Sequence, residues 1–266
     1  MFTSPCVAQQ PYSAPRASDG HADIGGVWSN GGEDVRLEQT VDGVLQTVPF
    51  ENPVDANLPL RDRTSALAWR EKYGIYMSGK QLPEFTLGAD TLPNRDRCLM
   101  AANAAAPPMT SQGYNDAYQI VQTPAYVLIA VEMMDEARVI PVFASAIEAA
   151  KVHGPRALQR WTGDSVGWWE GDTFVVETTN VSPRQGSESA MPTSQDAKVV
   201  ERFWRVGERE LAYRAEVTDP AIYTRPWTIS YSFHPRERLW EYACHEGNYG
   251  MPGILSGARQ AERMGR

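Results

Sequence analysis

The chain has 266 residues, 42% of them hydrophobic, and its 33 acidic against 25 basic side chains give a formal charge of −8. That is enough apolar content for a sizeable core, while the charge balance disfavours a nucleic-acid partner, which needs a basic footprint to displace counterions. The longest apolar run, Tyr126 to Val131, has the length of a buried strand and falls far short of the roughly 18 residues of a membrane-spanning helix.

Residues 1–23 are rich in Pro, Ser, Ala and Gln and read as a flexible N-terminal arm. "CVAQQ" has the small-residue look of the end of a secretion signal, although a charged start and an apolar run are missing. A periplasmic protein with a trimmed signal and a cytoplasmic protein with a plain tail both fit. Order begins at "DIGGVW", where Ile24, Val27 and Trp28 are the first core anchors, and residues 24–266 read as one domain. From 29 to about 117, repeated prolines predict long ordered loops, with one helix over "TSALAWREKYGIYM" entered at Thr64 and stopped by Gly79.

The second half reads as strands. "AYQIVQTP", "YVLIAVEMM", "ARVIPV" and "GDTFVVETTNVS" are apolar or β-branched runs divided by turn residues. "KVVERFWRV" and "RELAYRAEVTD" form a hairpin about Gly207-Glu208, with Leu211, Tyr213, Ala215 and Val217 on one face. "RPWTISYSF" alternates most cleanly, pointing Trp227, Ile229, Tyr231 and Phe233 one way. "SAIEAAKVHGPRALQRW" predicts a helical crossover broken at Gly154-Pro155, and "GILSGARQAERM" a short closing helix bearing Ile254, Leu255, Ala258 and Ala261. The expected fold is mainly β: an antiparallel barrel or strongly curved sheet, lipocalin- or calycin-like, with a few short helices and an interior suited to one small ligand.

Chemistry-bearing side chains gather late in the chain. "EYACHEGNYG" sets His245, one of four histidines, beside Glu246, with Tyr242 and Tyr249 close in sequence. Imidazole titrates near neutral pH and a carboxylate orients it, so His245 is the candidate acid or base, Glu246 or Asp135 its partner, and Tyr242 or Tyr249 a donor to developing oxyanion charge. The ordinary alternative is a histidine satisfied by backbone in a turn. Glu132, Asp135 and Glu136 close the apolar run of residues 126–131, where burial raises a carboxyl pKa, although Glu132 with Arg138 also reads as a structural ion pair. Trp169, Trp227, Tyr231 and Tyr249 are candidate ring contacts for a ligand together with Glu132 and Arg138; core filling is the bland reading of each ring.

Cys6, Cys98 and Cys244 are widely spaced without CxxC, which indicates neither a zinc site nor a disulfide framework and leaves one bridge open. His153, His234 and His245 lack metal-ligand spacing, so no metal is expected. "DIGGVWSNGGED" is not a dinucleotide or phosphate fingerprint, and no cofactor is expected.

"YQIVQTPAYVLIAVEMMDEARVIP", "RWTGDSVGWWEGDTFVVETTN", "VVERFWRVGERELAYRAEVTDPAIYTRPWT" and "LWEYACHEGNYGMPGILSGAR" together resemble a widespread family of uncharacterised bacterial proteins, many of them exported. The resemblance covers residues 23–260 and is most specific in "WEGDT…VETTN" and "ACHEGNYGM". It implies a single domain and supplies no substrate. Family members carry histidine where this chain has Asp135, which implies that any chemistry run by that histidine is here altered, lost or run by a carboxylate.

Two functional expectations follow. One is a cofactor-independent acid–base enzyme, a lyase, hydratase or isomerase, acting on a small hydrophobic or aromatic molecule in the barrel. The other is a non-catalytic carrier or sensor of such a molecule; metal-dependent hydrolysis ranks third. Homo-oligomerisation is left open.

Overall fold

The computed structural model describes residues 12–32, 36–41, 44–49, 58–61, 94–101, 103–110, 113–186 and 191–265. The helix expected at Thr64 to Gly79 lies outside them. Described strands are β1 (Gly26–Ser29), β2 (Arg36–Val41), β3 (Val44–Pro49), β4 (Ala117–Gln122), β5 (Tyr126–Val131), β6 (Glu136–Phe143), β7 (Asp164–Glu170), β8 (Thr173–Thr179), β9 (Lys198–Gly207), β10 (Glu210–Thr218) and β11 (Trp227–Pro235). The helices are α1 (Ala146–Ala149), α2 (Pro183–Gly186) and α3 (Gly250–Arg263). No described helix is long and apolar enough to cross a membrane.

The sheet runs β1-β4-β5-β6-β7-β8-β9-β10-β11, and β1 pairs again with β11, closing a barrel of nine strands. The β2–β3 hairpin hangs from the other part of the β11 edge: Thr228 to Ser230 face β2, while His234 and Pro235 face β1. The barrel is mixed rather than antiparallel throughout, because β6 and β7 pair in parallel through Val142↔Gly167 and Phe143↔Trp168. A parallel neighbour needs a crossover. Residues 144–163 supply it, but only the single turn α1 is helical; the predicted longer helix stops where "KVHGP" begins.

Alternation explains the interior. Leu211, Tyr213, Ala215 and Val217 of β10 face Trp227, Ile229, Tyr231 and Phe233 of β11, and all are buried. Trp169, Phe174, Phe203, Tyr213, Tyr231, Phe233 and Tyr118 form an unbroken chain of rings with centroids 4.8 to 6.5 Å apart. Gly167 makes room for this chain, since a Cβ there would come 2.6 Å from the Phe174 ring. The ring-lined hollow expected from sequence is therefore occupied, over the described residues, by the rings themselves.

Both ends are closed by the chain. Residues 101 and 103–110 form a plug of small residues in which Ala101, Ala104, Ala105, Ala106 and Met109 have no exposed surface. At the other end, residues 12–25 are not a free arm: Arg16 bridges Ala22, Ile24 N–H donates to Gln122 Oε1 at 3.0 Å, and His21 stacks on Trp169. The closing helix, α3, buries none of its residues among those described, and Ile254 on its apolar stripe is 40% exposed.

Candidate functional site

The plug meets a set of polar side chains that point into the barrel. Tyr118, Val131 and Glu136 lie in one cross-strand row of β4, β5 and β6, on the inward face by the parity of Ile120, Ile129 and Ile140. Tyr118 Oη donates to Ala104 O at 3.1 Å, and Asn30 Nδ2 lies 3.2 Å from Tyr118 Oη, 3.3 Å from Tyr231 Oη and 3.0 Å from Thr110 O. Met109 N–H donates to Tyr213 Oη at 2.9 Å, and that phenol donates to Glu201 Oε1 at 3.0 Å. These bonds satisfy backbone groups that the plug takes out of water. Burial raises the pKa of Tyr118, Tyr213 and Tyr231, so all three phenols stay protonated donors.

Glu136 is different. The Ala105 N–H bonds to its carboxyl, but its buried Oε2 has no hydrogen-bond partner. Burial pushes its pKa from 4.5 up to about 8, against the weaker opposing pull of that one N–H. A carboxyl in this state is largely protonated at neutral pH and able to give or take a proton there.

The β5–β6 turn beside it holds the C-terminal arm. Met133–Asp135 is a 3-10 turn with Met134 and Asp135 at positive φ, 65° and 51°. Glu132 is buried, accepting from Asn115 Nδ2 at 2.9 Å and from Trp240 N–H at 3.1 Å. Asp135 Oδ1 accepts from Tyr242 N–H at 3.4 Å. Two carboxylates of one turn thus clamp the backbone of residues 240–242.

The arm is not a strand; residues 244–247 turn. The Cys98–Cys244 disulfide ties it to the start of the plug and realises the one bridge left open by the cysteine spacing, and Asn248 Nδ2 donates to Asp96 O at 2.9 Å. An open, polar cleft of about 480 Å³ lies along it, lined by Arg95, Asp96, Glu241, Tyr242, Cys244 and Asn248 among others. Tyr242 packs its ring on the core, and partial burial, with Tyr114 acting in the same direction and Arg95 against it, raises its pKa.

Only part of the sequence-predicted set comes together here. Glu132, Asp135 and Tyr242 converge at the β5–β6 turn. His245 and Glu246 are exposed on the arm, and no described residue bonds to the imidazole. Tyr249 is 84% exposed ahead of α3. Trp169 lies at the opposite end of the barrel on His21, and Trp227 and Tyr231 are core residues. Arg138 does not pair with Glu132; it is buried against Glu201. Sequence reasoning named Glu136 among carboxyls in apolar settings but chose its neighbours; the alternation of β6, which puts Glu136 in phase with Arg138 and Ile140, was the signal that selects it.

Among the described residues no group of three or more His, Cys, Asp or Glu side chains is arranged to hold a metal ion. His153 sits between Asp164 Oδ2 at 3.2 Å and Glu177 Oε1 at 3.3 Å, so both ring nitrogens are engaged in clipping the crossover to β7 and β8. Comparison with protein-family models, curated proteins and solved structures gives no match.

Proposed function

We propose that the protein is a cofactor-independent acid–base enzyme of the lyase, hydratase or isomerase type, acting on a small hydrophobic or aromatic molecule at the plugged end of the barrel. The observation that carries this reading is Glu136, whose buried Oε2 is unpartnered and whose pKa is pushed up to about 8. Such a group exchanges a proton with substrate near neutral pH, and Tyr118, on the same row and near enough to feel its charge, is a protonated phenol able to steady charge that develops on a substrate oxygen. The Ala105 N–H bonds to this carboxyl, so a substrate that reaches it displaces that bond. The Cys98–Cys244 bridge supports an oxidising compartment, in keeping with export.

The test is a screen of pooled small ring-bearing compounds, read by NMR for product formation, followed by the Glu136→Gln and His245→Gln variants. The expected result is a loss of at least about 100-fold in turnover for Glu136→Gln and little change for His245→Gln. Full activity in Glu136→Gln overturns the assignment. A compound bound and recovered chemically unchanged supports the carrier reading, lipocalin-like in function, instead.

A further inference from the structure

The outward face of β9, β10, β11 and β2 carries a side-chain pattern that the Glu136 reading leaves unused. Register sets Ser232, Ala212 and Trp204 in one row across β11, β10 and β9. The next row is Ser230, Arg214 and Arg202, extended on the far side of Ser230 by Arg36 of β2. Arg214 and Arg202 stand directly opposite each other, and like charges so placed cost stability unless negative charge offsets them. Glu216 and Glu38 occupy the next row, on either side of Thr228, and Glu210 accepts from Ser232 Oγ at 2.6 Å, so acids border the arginine row and Arg36 is its exposed end. Ser230 and Arg214 also take part in other interactions, which leaves Arg36 as the cation at the edge.

Between these rows the sheet opens into a recess of about 470 Å³, lined by Gly32, Arg36, Trp204, Ala212, Ser230 and Ser232 together with Tyr213 and Tyr231. The recess exists because β11 changes partner, bonding β2 up to Ser230 and β1 from His234, so the neighbouring strands fork between those points. Gly32, at φ +72°, lies in a turn after β1, with open space where a side chain would project. Ala212 forms a floor only 8% exposed although it faces outward.

We infer that this recess is a binding site for a small aromatic carboxylate. The ring lies over Ala212 against the half-buried Trp204 indole, and the carboxylate meets the Arg36 guanidinium at the rim. A small side chain at 212 is what lets a flat ring approach the sheet, and a cation at the rim selects an acid over a neutral ring. The site is separate from Glu136 and stands or falls without it.

Naphthalene-2-carboxylate titrated into the full chain, followed by tryptophan emission and calorimetry, tests this. Saturable one-to-one binding is expected, at least about tenfold weaker for neutral naphthalene-2-methanol and for the Arg36→Gln variant, and unchanged in Glu136→Gln. Arg36 is exposed, and thermal melting of Arg36→Gln confirms its fold. Trp204→Phe, which keeps a ring on the wall, should bind more weakly than the parent but retain the preference for the acid. No saturable binding, equal binding of acid and alcohol, or an Arg36→Gln variant that binds like the parent overturns the inference.

Discussion

Arg138 of β6 and Glu201 of β9 meet inside the barrel at 2.5 and 3.0 Å although two strands separate them in the sheet. The guanidinium reaches Ser165 Oγ at 3.0 Å and Thr178 Oγ1 at 3.2 Å on those intervening strands. Four strands therefore share one polar knot. Burial works against the charged guanidinium, but Glu201 more than offsets it and holds the Arg138 pKa above its ordinary value.

Removing one partner strands the other. Glu201→Gln or Arg138→Met alone is expected to cost about 3–5 kcal/mol, whereas the Arg138→Met/Glu201→Leu double variant costs less than the sum of the single changes. Urea denaturation of all three checks this. Strict additivity would mean that the two charges are not coupled.

Glu136 makes stability depend on pH in a predictable direction. Its folded-state pKa is raised from 4.5 to about 8, so the native state holds a proton that the unfolded chain releases. Its favourable contribution is complete below 4.5, declines by up to about 1.4 kcal/mol per pH unit above that, and is gone once pH passes 8. Denaturation at pH 5 and pH 8 should show the parent losing more stability over this interval than Glu136→Gln, whose neutral amide does not titrate. Identical pH dependence of the two proteins would place the Glu136 carboxyl in water.

The plug depends on Tyr213. Its hydroxyl is the acceptor for Met109 N–H and a donor to Glu201, so Tyr213→Phe leaves that amide without a partner and Glu201 with Arg138 alone, while keeping the ring. A loss of about 1–3 kcal/mol is expected, with faster amide exchange at Met109. Unchanged exchange at that amide would show that the plug is held by packing alone.

The bridge between Cys98 and Cys244 fastens the C-terminal arm at a sequence separation of 146 residues. Reduction, or Cys98→Ser with Cys244→Ser, should cost about 2–4 kcal/mol. Hydrogen exchange should rise first at residues 240–249, where the Glu132 and Asp135 clamps and the Asn248–Asp96 bond are among the ties that remain. Protection there that survives reduction would mean that those clamps suffice.

Strands whose inward positions hold large apolar residues could be read from the sequence. β10 and β11 are the clearest cases, and the parity expected for Leu211 to Val217 and Trp227 to Phe233 is the parity found. β7 was hidden because its inward position 167 is glycine, its bulk supplied by Phe174 from the next strand. β2 and β3 lie in the stretch read as loops, and β1, where Val27 and Trp28 are legible only as core anchors, is too short to show a period. The parallel β6–β7 pairing left no local mark, since it follows from how the crossover returns.

At the candidate site, burial decided what residue type could not. His245 drew attention as a scarce residue beside a carboxylate, but the arm that carries it is positioned by a disulfide and by Glu132 and Asp135, contacts between segments more than a hundred residues apart. Glu136 resembled its acidic neighbours in sequence and became distinct only when β6 turned it inward beneath Ala105.

The seam where Trp28 meets Pro235 and Ser29 meets His234 joins the first described strand to the last. A nascent polypeptide cannot zip that seam until the ribosome has delivered β11, so β1, paired on its other side with β4, waits with a raw hydrogen-bonding margin exposed. Contacts so distant along the chain are slow to form, and the waiting species is the one most prone to clump with its siblings. Cellular yield of this protein should therefore respond more to translation speed and holdase supply than to any single core substitution.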